Sequence, residues 1–187
     1  MHVFAYGSLL NPDSLRATLA HLVLEACRPA RLPGYLRCFD VAFPNDGSQP
    51  DKRYEFPDGS TPPGVLLGNI RPSEHYAVNG IAIPIDDDDL RLLIDRERRY
   101  DLVDITGRAV SYPGGGALTG RVLTFIGKPE FAAARLPGAV ASRAYLDVVI
   151  AGAKHWDAVA PEFYHLTMAC TEFPTPGSIA DLERINL

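Results

Sequence analysis

Met1-His-Val-Phe-Ala-Tyr-Gly-Ser-Leu-Leu10 opens the chain, and Asn11-Pro-Asp-Ser14 follows. Val3 to Tyr6 is a short apolar run, the pattern of a buried strand, and it breaks at Gly7-Ser8. Asn11 supplies a helix-capping side chain and Pro12 suits a first helical turn, so the spacing predicts a helix over 12–21. A strand that feeds a helix through Gly-Ser leaves loop N–H groups without a partner inside the helix. Such groups either serve a plain connection or hold a carboxylate or a developing oxyanion. The loop Tyr6-Gly7-Ser8-Leu9 is the first candidate site.

The composition bounds what surrounds this loop. At 187 residues one domain is expected, spanning the whole chain, with room for a sizeable core. A net charge of −5 favours neither nucleic acid nor an anionic membrane as partner. No apolar window reaches the roughly 18 residues of a membrane span, and the N-terminus lacks the basic start of a signal peptide, so a cytoplasmic protein is expected. Cys27, Cys38 and Cys170 form no CxxC pair and read as small buried apolar residues in a reducing compartment.

Alternation predicts a second strand over 35–43. Residues 44–63 are rich in Pro, Gly, Asp and Ser, and predict a long loop, either a lid or a surface excursion. Residues 64–70 and 78–85 read as two strands joined by a polar turn. Asp86-Asp-Asp-Asp89 reads as a helix start rather than a metal site, because adjacent acids point apart while acids in a first turn complement the helix dipole. That helix is predicted over 88–98 with Leu90, Leu93 and Ile94 on one face. Residues 101–110 and 118–126 read as a hairpin turned by Gly114-Gly-Gly116, which lacks the ending of a phosphate-binding loop. Helical periods follow over 142–149, 153–160 and 161–171, and a tail from about 173.

Glu97 is the second candidate. It falls one turn after Leu93 and Ile94, hence beside the buried stripe and near the helix end. A carboxylate there is disfavoured by the dipole, and a partly buried acid has a raised pKa suited to a general base. Alternatively it pairs with Arg96, Arg98 or a more distant arginine on a wet surface. The five histidines show no metal spacing, and no GxSxG elbow is present.

Taken in order, these segments resemble the γ-glutamylcyclotransferase-like superfamily. The opening Val-Phe-Ala-Tyr6-Gly7-Ser8-Leu9 is similar to its signature. Leu32-Pro-Gly-Tyr-Leu-Arg-Cys-Phe39, Gly68-Asn-Ile70 and Val78-Asn-Gly-Ile-Ala82 resemble its next strands. Asp95-Arg-Glu97-Arg-Arg-Tyr100 resembles the helix end with the catalytic glutamate and the tyrosine beyond it, and Ser142-Arg-Ala-Tyr145-Leu the C-terminal helix motif. The resemblance implies an α+β fold around a small mixed, mostly antiparallel β-barrel with flanking helices and the site at its mouth. It implies cyclisation of a γ-glutamyl group to 5-oxoproline with release of an amine, amino acid or peptide, without metal or organic cofactor. Glu97 is then the base. Tyr6, Gly7, Ser8 and Leu9 hold the glutamyl moiety by its carbonyl oxygen or its α-carboxylate, and Tyr100 and Tyr145 line the pocket. The partner is a small γ-glutamyl molecule.

Two departures from the pattern stand out. Arg98-Arg99 replaces the glycine many relatives carry before the tyrosine, and Arg99 either crowds the pocket or binds an acidic substrate. The 44–63 stretch lies near the expected barrel mouth, where it would influence the leaving group. Two other readings of the same pocket stay open at this point: a γ-glutamyl amide hydrolase that releases glutamate, and a non-catalytic relative that binds a small anion or a partner.

Overall fold

The computed structural model describes residues 1–187. Strand β1, His2–Ala5, lies inside a mixed sheet, antiparallel to β4 (Gly64–Pro84) and parallel to β7 (Val122–Gly127). Its side chains alternate between two cores, as strand geometry requires. Val3 and Ala5 point into one cluster with Leu10, Leu15, Leu93, Val149 and Trp156, while Phe4 and Tyr6 enter another with Leu32, Ile70, Val78 and Val122. This explains the uninterrupted apolar run, since a strand covered on both faces has no polar side. Fully buried residues such as Leu10, Ile81 and Leu93 each contribute about 1.5–3 kcal/mol by leaving water.

The sheet continues from β1 through β4 to β2 (Arg28–Pro44) and the short β6 (Val110–Ser111), and on the other side through β7 to β5 (Tyr100–Asp104). β5 pairs antiparallel with β7, as the alternation suggested. Gly114 to Gly116 do not turn that hairpin, however. They lie in a tight loop beyond β6, where the Ser111 N–H bonds the Gly116 carbonyl. β8 (Val140–Ser142) joins β4 in parallel and carries β9 (Ile179–Ala180). The class is α+β, but the barrel is not closed, because the path ends at β5 and β6 with no pairing between them.

Several boundaries differ from those expected. The first helix, α1, stops at Pro12–Arg16. β2 begins seven residues before the alternating run, at Arg28. Residues 64–84 form one strand rather than two, because Tyr35 pairs with both Pro72 and Ala77 and residues 73–76 bulge from the ladder. The acidic run starts helix α2, Asp87–Arg96, with an Asp86–Asp89 capping box. Leu93 is buried there, but Ile94 is 43% exposed, so the apolar face is narrower than predicted. The two periods after residue 142 merge into one helix, α3 (Arg143–Asp157), followed by α4 (Phe163–Ala169).

The 44–63 stretch holds a strand, β3 (Lys52–Glu55), and the tail supplies its partner, β10 (Glu183–Asn186). Asn45 anchors the excursion, donating to the Tyr54 and Pro62 carbonyls at 2.7 and 3.0 Å and accepting from the Tyr54 N–H at 2.8 Å. No helix is long and apolar enough to cross a membrane.

Candidate active site

β1 ends at Ala5, and the chain turns through Gly7 into a 3-10 turn, Ser8–Leu10. That turn's own bonds run from the Leu10 N–H to the Gly7 carbonyl and from the Asn11 N–H to the Ser8 carbonyl. The N–H groups of Gly7, Ser8 and Leu9 come before these bonds and have no partner inside the turn. Leu9 sends its side chain into the core, so only its backbone is available to a ligand. Asn11 then caps α1 by accepting from the Asp13 and Ser14 N–H groups.

Helix α3 packs closely against this loop. A methyl group on Gly152 would sit 2.5 Å from the Leu10 carbonyl carbon and the Asn11 nitrogen. The Trp156 indole donates to the Leu10 carbonyl at 2.8 Å. From the opposite side, the fully buried Arg37 on β2 donates Nε to the Tyr6 carbonyl at 2.8 Å.

Tyr6, Gly7, Ser8, Leu9, Glu97, Tyr100 and Tyr145 line a single cavity, together with Gly68 and Phe125. Glu97 is the first residue past α2, and its N–H still bonds the Leu93 carbonyl. Burial raises its pKa, while the adjacent Arg96, Lys52 and Arg99 oppose the rise. Arg96 Nε lies 3.1 Å from Glu97 Oε1. The same guanidinium donates to the Ser14 carbonyl and to the Ser8, Ser14 and Thr18 hydroxyls. Glu97 is thus paired with Arg96, as one reading of the sequence allowed, but both partners are partly buried rather than on a wet surface.

The three tyrosines differ in what their hydroxyl hydrogens do. Tyr6 donates to the Phe125 carbonyl at 2.6 Å and Tyr100 to the Gly68 carbonyl at 2.7 Å. Tyr145 instead accepts from the Gly68 N–H at 3.1 Å, which leaves its own hydrogen free to donate. A methyl group built on Gly7 would meet that oxygen at 3.5 Å, so the hydroxyl and the loop face one another. Burial raises the Tyr145 pKa to about 12, keeping the hydroxyl protonated at neutral pH.

Sequence reading did not assign Gly68, whose backbone orients two tyrosine hydroxyls, to the site, gave Arg37 no part, and offered Arg96 only as a surface partner for Glu97. A peptide group leaves no side-chain signal, and a lone arginine in an alternating run reads as outward-facing. No group of three or more His, Cys, Asp or Glu side chains converges as a metal site.

No protein-family model and no curated protein sequence matches the chain. Solved structures do. A structure named γ-glutamyl cyclotransferase is 16% identical, covering 96% of this chain and 92% of its own, with a TM-score of 0.62. The uncharacterized protein loc79017 from Homo sapiens is 15% identical over the same shares, with the same score. A γ-glutamyl cyclotransferase specific to glutathione from yeast is 13% identical over 92% of this chain and 97% of its own, at 0.54. At such identities the likeness is one of fold, and the chain has a γ-glutamylcyclotransferase-like fold.

Proposed function

We propose that the protein is a γ-glutamylcyclotransferase that converts a γ-glutamyl group to 5-oxoproline and releases an amine. The observation that carries this is a partly buried carboxylate of raised pKa, Glu97, lining one cavity with the loop N–H groups that have no partner in the turn and with the Tyr145 hydroxyl. A fold alone hosts many activities, so the argument rests on the site.

The reaction asks for few protein groups. The nucleophile, the substrate's own α-amine, is tethered to its target, and binding in a folded pose removes much of the entropic barrier. Glu97 accepts a proton from the α-ammonium, and the freed nitrogen attacks the γ-carbonyl carbon. The carbonyl oxygen gains negative charge, which the Tyr145 O–H and the loop N–H groups stabilise. The former amide C–N bond then breaks. The attacking nitrogen sheds two protons on its way to the lactam, and the leaving nitrogen gains two to depart as an ammonium ion. Glu97 is placed to carry them.

The test is mass-spectrometric detection of 5-oxoproline after incubation with γ-glutamyl dipeptides, glutathione and γ-glutamyl amines. Oxoproline formed by wild type and lost in Glu97→Gln is the expected result. Release of free glutamate instead would overturn the reading in favour of hydrolysis.

A further inference from the structure

The small cavity opens into a larger one, with Ser8, Glu97, Tyr100 and Tyr145 on the border between them. The outer chamber is much the larger of the two and is open to solvent. On the cyclotransferase reading the glutamyl group occupies the inner space, so whatever is joined to it projects into the outer one. This chamber is walled by β3 and β10, the two segments that sequence reading left as loop and tail.

Its wall is strongly cationic. In an antiparallel pair, residues directly opposite share a face, as do alternate residues along a strand. Arg184 lies opposite Tyr54, and Lys52 is two residues before Tyr54, so Lys52, Tyr54 and Arg184 present one face, and all three line the chamber. Arg98 and Arg99 line it from the α2–β5 turn. Asp51 answers these last two, 3.2 Å from Arg99 and 3.9 Å from Arg98. Arg99 also donates to Gln49 Oε1 at 2.8 Å and stacks on Phe43, 4.5 Å from the ring centre. It is 4% exposed, yet its Nε has no hydrogen-bond partner.

Lys52 and Arg184 have no carboxylate within ion-pair distance. Lys52 instead rests its ammonium near the Phe43 and Tyr54 rings, 5.2 and 5.9 Å from their centres. Burial, with Arg184 and Arg99 nearby, brings its pKa down to about 8. Asp51 and Glu97 lie near Lys52 but neither pairs with it, so the like charges of Lys52 and Arg184 are only partly offset and repel one another in a partly desolvated space. A ligand with negative charge relieves that repulsion.

We infer that the outer chamber is the leaving-group site and that it selects an amine carrying two negative charges, held between Lys52 and Arg184 with Arg99 behind them. This rests on the cyclotransferase reading and narrows it to one substrate class. An acidic amino acid and an amine bearing a phosphate ester share the required chemistry.

The experiment compares kcat/KM for γ-glutamyl-glutamate, γ-glutamyl-phosphoethanolamine, γ-glutamyl-glutamine and γ-glutamylputrescine. Glutamine matches glutamate in shape with one charge fewer, and putrescine reverses the sign. The expected result is a preference of roughly tenfold or more for a dianionic leaving group over γ-glutamyl-glutamine, with the cationic amide poorest. Whichever dianion leads identifies the source. Lys52→Met, which keeps the apolar stem on Phe43 and Tyr54, and Arg184→Gln, on an exposed strand, should each bring that ratio towards one. Equal or better turnover of γ-glutamyl-glutamine or of the cationic amide overturns the inference and leaves the cyclotransferase reading standing. If no substrate yields 5-oxoproline, that parent reading fails, and calorimetric binding of γ-glutamyl-glutamate decides this one. Binding weakened by Lys52→Met and Arg184→Gln supports the site, whereas no binding, or binding insensitive to both, overturns it.

Discussion

Glu97 is held in an environment that does not suit a carboxylate. It follows the C-terminal end of α2, where the helix dipole is negative, and burial raises its pKa. An unfolded chain keeps the ordinary value, so the native state binds this proton more tightly. The resulting penalty is absent below the unfolded pKa, grows as pH rises through the interval between the two, and is complete above the folded one. Glu97→Gln removes a charge that is costly at neutral pH, and Arg96 keeps its Ser8, Ser14 and Thr18 partners. The expected outcome is a rate at least ~100-fold lower, as for loss of a general base, with a neutral-pH Tm no lower than wild type. A variant that keeps its rate would remove Glu97 from the mechanism. Arg96 supplies the main opposition to the raised pKa. Arg96→Gln should therefore let it rise further and move the acid limb of the kcat/KM profile to higher pH. An acid limb that stays in place would show that another group sets it.

At the scale of elements, the loop is shaped by what packs behind it. Gly152 allows α3 to approach Leu10 and Asn11 at a distance no side chain permits, and the obstruction is backbone, which cannot rotate away. Gly152→Ala gains about 1 kcal/mol in helix propensity but adds overpacking of about 1–3 kcal/mol. It should lower kcat/KM by displacing the Gly7-Ser8-Leu9 N–H groups while circular dichroism still reports a full helix content. Wild-type rate and stability together would show that α3 does not fix the loop. The limits of the sequence follow the same physics. β1, the helix start in the acidic run and the position of Glu97 near that helix's end were legible because each depends on neighbours within a few residues. β3 was not, because Lys-Arg-Tyr-Glu is too short to alternate convincingly and its partner lies about 130 residues away, at Glu183–Asn186. The bulge at 73–76 was read as a turn because local polarity is the same in both. The closeness of Gly152 to Leu10 is equally non-local, and a glycine within a helical period gives no hint of what it faces.

Across the whole molecule, Arg37 ties the parts that frame the cavity. Its guanidinium reaches the Tyr6 carbonyl before the loop, the Asn79 carbonyl and Oδ1 on β4, the Thr167 carbonyl on α4 and the Thr171 hydroxyl beyond it. It is fully buried and has no carboxylate partner, so these oxygens are what compensate its desolvation. Asn79 extends the connection, donating Nδ2 to the Phe163 carbonyl and the Thr167 hydroxyl. Arg37→Met nearly preserves side-chain length but strands several buried acceptors. Each such group costs about 1–3 kcal/mol, and partial relaxation suggests a net loss of roughly 3 kcal/mol. That is a large fraction of the ~5–15 kcal/mol typical of a folded protein. Arg71 is the fitting control, because it comes from the neighbouring strand and pairs with Glu172 while both remain about half exposed. Arg71→Met should change stability by less than ~1 kcal/mol, as surface ion pairs do. Urea unfolding of the two variants separates the cases. A stability within about 0.5 kcal/mol of wild type for Arg37→Met, the range usual for surface substitutions, would mean that water or relaxation replaces the arginine. The loop would then owe its position to α3 alone.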